Sequence, residues 1–218
     1  MANKIYLLSP TPREGTQPLP MIEFSLTAAS IDFGESDTLI FTSKQAVKSA
    51  ETIDPSWKSY PTVAIGGATK KQIEALGGKV IYYPEHFYGK SLAEDIVRFF
   101  GERRLLYLRP KEVSFDSKAY LQQAGIAIRE QVIYETRCIM YPEAKKPERE
   151  SIIIFTSPST IRCFLKNFGW DASYRAVVIG EATKAHLPPE AEAFVADRPL
   201  IDACVEKARE VLITSNSK

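Results

Sequence analysis

Two apolar runs, "LIF" at 39–41 and "IIIF" at 152–155, contain no polar residue and end on the same Thr-Ser pair. Short, continuous, β-branched runs of this kind predict strands buried on both faces of a parallel sheet. After each run the pattern changes to a helical period, in "SKQAVKSAE" and "SPSTIRCFLKNF". Ser at each junction suits an N-cap, and Pro158 suits a first helical turn. Further strands are predicted at "TVAI", "AVVI", "GKVIYY" (78–83), "RRLLYLRP" (103–110) and "EAFVAD" (192–197). Further helices are predicted at "SLAEDIVRFF", "DSKAYLQQAG" and "LIDACVEKAREVL". Strands alternating with helices imply an α/β fold with parallel sheets.

The pattern repeats. Thr42 and Thr156 lie 114 positions apart (156 − 42), and so do Gly66 and Gly180 (180 − 66) of "VAIGGATK" and "VVIGEATK". Two motifs at one offset and in one order indicate a duplication, and hence two similar flavodoxin-like domains. The first copy runs IFTS, GGAT, "LYLRP" (106–110); the second ends without an LRP-like strand. The N-terminal "YLLSP" (6–10) supplies the missing strand, which makes one domain discontinuous. We expect domain one at 1–20 plus 139–218 and domain two at 28–131. The connecting strands at 21–27 and 132–138 would pair as a two-strand linker and act as a hinge.

In open α/β sheets, ligands bind beyond the carboxyl ends of the strands. The polar residues expected there are Ser9, Thr42, Ser43, Lys44, Gly66, Thr69, Arg109, Ser157, Ser159, Gly180, Thr183 and Arg198. Helix starts with free N–H groups favour carboxylates or phosphates. Taken singly, each hydroxyl is a helix cap and each glycine a turn; as a set repeated around one expected cleft, they form an anion site. The chain lacks both GxGxxG and GxxxxGK[ST], so nucleotide or sugar-phosphate chemistry is disfavoured.

Composition narrows the ligand. The chain has 218 residues, and its 28 basic and 27 acidic side chains give net charge +1. No global field draws it to nucleic acid or to a membrane surface. The opening "MANKIYLLSPTPREG" has too short an apolar stretch for a secretory signal, and a cytoplasmic location is expected. Two histidines and three cysteines without CxxC spacing argue against a metal site and against a disulfide framework. Cys163 is read as a buried packing residue, His86 and His186 as surface loop residues.

The motifs "LIFTSKQAV" (39–47), "VAIGGATKKQIEALG" (63–77), "YLRP" (107–110), "VIYET" (132–136), "IIFTSPST" (153–160) and "VVIGEAT" (177–183) together resemble the uroporphyrinogen-III synthase family. The resemblance implies a cofactor-free, metal-free monomer acting on hydroxymethylbilane, a linear chain of pyrroles that each carry an acetate and a propionate. It implies loss of the terminal hydroxyl as water, inversion of the last ring through a spiro intermediate, and transient contact with the preceding deaminase. It assigns acid assistance to Tyr134, since a phenol with a pKa near 10 stays protonated at neutral pH. Carboxylate binding falls to Thr42, Ser43, Thr69, Ser157, Ser159 and Thr183.

The chain departs from the family in three places, one of them the helix after "GEAT", which Pro188-Pro189 cuts short. "TPREGTQPLP" (11–20) stands where the family has a helix, and Arg198-Pro199-Leu200 stands where many members carry Ser-Pro-Thr. The alternative expectation is a non-catalytic two-domain protein whose cleft binds a small anionic ligand.

Overall fold

The doubly apolar runs become central strands because both of their faces are covered. In the computed structural model, which describes residues 4–84, 89–113, 117–126 and 128–215, β4 (Thr38–Phe41) and β9 (Ile152–Phe155) are buried at every position. Leu39 and Phe41 pack into one core, and Ile40 into another on the opposite face. Ile153 and Phe155 likewise face away from Ile152 and Ile154. This is the period-2 alternation of a strand between two helical layers.

The chain divides into two compact units, Met1–Glu23 with Arg137–Lys218, and Phe24–Thr136. The first holds a five-stranded sheet in the order β11-β10-β9-β1-β2, all parallel. Its strands are β1 (Ile5–Leu7), β2 (Gln17–Pro18), β9, β10 (Arg175–Val178) and β11 (Glu192–Val195). The second holds a six-stranded sheet, β3-β8-β7-β4-β5-β6. Here β3 is Ile22–Leu26, β5 Pro61–Ala64, β6 Lys79–Tyr82, β7 Leu105–Pro110 and β8 Ile128–Cys138. The helices are α1 (Lys44–Ile53), α2 (Gly67–Ala75), α3 (Gly89–Phe99), α4 (Ser117–Gln123), α5 (Pro158–Phe168), α6 (Glu181–Lys184) and α7 (Ile201–Ser215).

The duplication is visible in the pairing. β1 lies beside β9 (Ile5↔Ile152, Leu7↔Ile154) as β7 lies beside β4 (Leu39↔Leu106, Phe41↔Leu108). The N-terminal strand thus completes the discontinuous unit. β1 and β2 are parallel, and the connection between them, residues 8–16, carries no helix. Parallel neighbours normally need a longer crossover; here β2 pairs through two residues only, so an irregular connection suffices.

The chain passes between units within β3 and within β8. Thr27 N donates to Ile133 O and Ile139 N to Met21 O, which makes β3 and β8 antiparallel neighbours. The first half of β8 is also a full sheet strand, paired with β7 from Leu105↔Ile128 onward.

The expectation of unpaired cysteines is corrected. Cys138, at the end of β8, is bonded to Cys163 in α5, across 25 residues. Spacing rules search for close Cys pairs; these two meet because the end of β8 packs against α5 in one core. Cys163 is buried, as read, and Cys204 is free and buried. His186 is exposed, and His86 lies outside the described residues.

Candidate active site

The carboxyl edge of the six-stranded sheet is built by three strand ends. β4 delivers Thr42 and Ser43, and Ser43 caps α1 by accepting a hydrogen bond from Ala46 N at 3.0 Å. β7 delivers Tyr107 and Arg109, and β8 delivers Tyr134.

Tyr134 reaches this edge through a β-bulge. Arg109 pairs with Val132, but Pro110 pairs with Tyr134, so Ile133 is an extra residue in the ladder. Strict alternation would turn Ile133 and Tyr134 to opposite faces. With the bulge, both sit in the core that also holds Leu39, Phe41 and Leu108. The cause is local. Pro110 has no N–H to give to the ladder, and proline inside a sheet is tolerated at bulges. Regular bonding resumes where Lys111 N donates to Tyr134 O at 2.9 Å.

The re-aimed phenol of Tyr134 lies 2.9 Å from Ser43 Oγ. Its ring meets Phe24 edge to face at 5.8 Å, and Phe24 is 40% exposed. Tyr107, from the opposite face of the sheet, brings its hydroxyl to 2.7 Å from Thr42 Oγ1. Burial pushes both phenols above their ordinary pKa, and the hydrogen bonds from Ser43 and Thr42 offset part of that. Both tyrosines are therefore held protonated through neutral pH.

Arg109 is engaged already. Its Nη1 donates to Glu130 Oε2 at 2.9 Å and its Nη2 to Lys111 O at 3.2 Å, while its buried Nε has no partner. Lys44 is exposed in the first turn of α1. Gly66 caps α2 in extended backbone (φ 174°), with Thr69 buried in the first turn. The glycine is not demanded by a left-handed turn.

The five-stranded sheet repeats the arrangement within its own unit. Ser9, after β1, is buried and accepts from Thr11 N at 3.2 Å. Ser157 caps α5 in a reciprocal capping box with Thr160, behind Pro158 at the helix start. Ser159 is half-buried in the same turn. Gly180 caps α6 in extended backbone (φ 178°), and Thr183 is buried. Arg198 is exposed and lies 3.7 Å from Glu206. The predicted residues thus assemble at two sheet edges, Thr42 to Tyr134 on one and Ser9 to Arg198 on the other.

Sequence reasoning missed Tyr107, Phe24 and Glu130. Tyr107 hides inside "LLYLRP", where only its place as the last aromatic before the strand end hints at a polar tip reaching the edge. Two hollows, of about 390 and about 370 Å³, sit at the amino ends of strands. One lies at Arg175 and Glu192, the other at Leu105 and Ile128, away from the hydroxyl-lined edges. Among the described residues, no group of three or more His, Cys, Asp or Glu is placed to hold a metal ion.

Comparison with known proteins places this architecture. The chain is similar to the uroporphyrinogen-III synthetase of Helicobacter pylori 26695, at 28% identity over 96% of this chain and 99% of that one, with a TM-score of 0.82. A mutant uroporphyrinogen III synthase from the extremely thermophilic bacterium Thermus thermophilus shares the fold at 10% identity, with a TM-score of 0.62 over 98% of this chain and 100% of that one. No curated protein sequence matches. The family model described as uroporphyrinogen-III synthase HemD matches residues 16–206. The chain belongs to the uroporphyrinogen-III synthase family.

Proposed function

We propose that this protein cyclises hydroxymethylbilane to uroporphyrinogen III with loss of water and inversion of the terminal ring. The family match over residues 16–206 carries the reaction, and the phenol of Tyr134, turned by the bulge onto the edge beside Ser43, carries the assignment of an acid.

The chemistry asks little of an acid and much of a scaffold. A pyrrole nitrogen lone pair expels the terminal hydroxyl, which leaves as water once it takes a proton. In our reading that proton comes from Tyr134. The electrophilic carbon so formed is attacked by the substituted carbon of the last ring. The spiro intermediate then opens and closes with that ring inverted, and the final loss of a ring proton restores the phenol. Left alone, the bilane closes without inversion, so the protein must hold the chain in the productive shape. Binding energy from remote carboxylates serves that end. Thr42, Thr69, Ser157, Ser159 and Thr183, with the N–H groups at the starts of α1 and α5, are the groups we assign to those carboxylates. Lys44, Gly66, Gly180 and Arg198 lie at the same edges; Ser9 and Arg109 already spend hydrogen-bonding capacity within the protein.

A substrate that closes spontaneously must be used where it is made. That favours transient contact with the preceding deaminase; a cytoplasmic location and a monomeric state are the further parts of this reading. Light scattering at the mass of one 24.4 kDa chain would agree; a stable dimer would not.

The deciding experiment supplies fresh hydroxymethylbilane, oxidises the product and separates the uroporphyrin isomers. Predominantly type III supports the reading. Type I at the spontaneous rate overturns it and leaves a non-catalytic anion-binding protein.

A further inference from the structure

The hydroxyls of Ser43 and Tyr134 have two hydrogens between them, and the 2.9 Å contact consumes one. Only one remains to point outward. If it is on Ser43, Ser43 can donate to a substrate carboxylate, and the phenol has spent its proton on Ser43. If it is on Tyr134, the phenol can protonate a leaving hydroxyl, and Ser43 donates to the phenol oxygen. The two roles exclude each other.

We propose that Ser43 is a positioning residue for Tyr134, donating its hydrogen to the phenol oxygen so that the phenol proton faces the substrate, and that Ser43 is not a carboxylate ligand. This rests on the reading of Tyr134 as the acid. Three observations favour the direction. Ser43 Oγ already accepts Ala46 N–H at 3.0 Å as the N-cap of α1. An oxygen that accepts from a helix start is polarised toward giving its own hydrogen away. The phenol lies in an apolar core with Phe41 and Ile133, where an unassisted phenolate would be costly. When Tyr134 gives up its proton, the Ser43 hydroxyl is the group in contact with the new charge, and hydrogen bonds to charged oxygens are the strong ones. The extended backbone of Ser43 (φ −157°, ψ 154°) and the cap bond fix Oγ beside the phenol.

The test compares S43G, S43T, Y134F and the S43G/Y134F double variant on hydroxymethylbilane, with kcat and KM resolved. Glycine keeps most of an N-cap's worth and removes the hydroxyl; threonine keeps cap and hydroxyl. We expect S43G to lower kcat about tenfold, the loss of one hydrogen bond to a charged oxygen, with KM within about twofold of wild type. S43T should restore kcat. In the Y134F background, S43G should change kcat by less than about twofold, because there is no phenol left to assist. A raised KM with kcat retained in S43G would overturn the proposal in favour of a carboxylate ligand. An equal drop in kcat with and without the phenol would overturn it in favour of a plain helix cap. A wild-type kcat in Y134F would instead overturn the acid role itself, whatever S43G does.

Discussion

The hydroxyl of Tyr107 stands 2.7 Å from Thr42 Oγ1, on the side of the sheet opposite the Tyr134–Ser43 contact. Consecutive residues, Thr42 and Ser43, are thus each met by a phenol, one through each face. A buried phenol that donates to Thr42 leaves the threonine hydrogen for a substrate oxygen. Replacing Tyr107 by Phe removes that support without emptying the core. We expect KM to rise about 2- to 10-fold, one neutral hydrogen bond's worth, with kcat nearly unchanged in steady-state assays. A fall in kcat with KM fixed would place Tyr107 in the chemistry instead.

Y134F separates acid assistance from orientation. General acid catalysis contributes on the order of 100-fold or more, but pyrrole expels hydroxyl readily, so the loss in kcat should be about 100-fold at most. The product should remain type III, since inversion depends on how the chain is held. Isomer chromatography of the variant's product checks this; a shift to type I would give Tyr134 a part in folding the substrate.

Gly78, just before the amino end of β6, is packed closely against Trp57 and Ile73. A Cβ there would lie 2.4 Å from Trp57 Cζ3 and 2.8 Å from Ile73 Cγ2. Trp57 is fully buried and its Nε1 donates to Glu51 Oε2 at 2.9 Å, so the ring cannot retreat freely. G78A should destabilise the protein by about 1–3 kcal/mol through overpacking, read as a lower urea midpoint at unchanged slope. An unchanged midpoint would show that the ring gives way.

Alkaline pH should weaken the fold in a defined order. Burial raises the Cys204 thiol from 9.0 to about 11. Burial, and then the charge of Asp171, raise the Tyr174 phenol from 10.0 to about 12. For each, the folded state holds the proton more tightly than the unfolded chain. Their stabilisation is complete below about pH 9 and is lost as pH rises from 9 to 12, by about 1–3 kcal/mol per group. Urea titrations across that range should slope downward in the wild type. C204A should flatten the part between pH 9 and 11, and a slope unchanged in C204A would remove the thiol as its source.

The sheet architecture was legible because the chain says it twice. "LIFTS" and "IIFTS" at one offset locate β4 and β9, and the shifted "YLLSP" points to β1 as the strand that completes the five-stranded sheet. The hydroxyls at the strand ends were legible for the same reason. The partnerships among them were not. Nothing in "YLRP" or "VIYET" announces that Pro110 forces a bulge opposite Ile133, and without the bulge Tyr134 would face the wrong core. Arg109 looks free in a linear text; Glu130, its partner, sits on a neighbouring strand 21 residues away. The Cys138–Cys163 pair was missed likewise, since contact across 25 residues is a property of packing and not of spacing.

The pairing of Ile5 with Ile152 also sets a timetable for synthesis. β1 must wait 147 positions (152 − 5) for its neighbour. The whole of 24–136 leaves the ribosome in the meantime, as one continuous unit. Domains fold as units during translation, and contacts distant in sequence form late. Until β9 arrives, Ile5, Leu7 and Leu8, all buried in the finished protein, have no core to enter. The nascent chain thus passes through a stage with 24–136 folded and β1 uncovered. Proteolysis of released chains truncated at residue 150 should spare 24–136 and cut within 4–20; protection of 4–20 at that length would show another partner for β1.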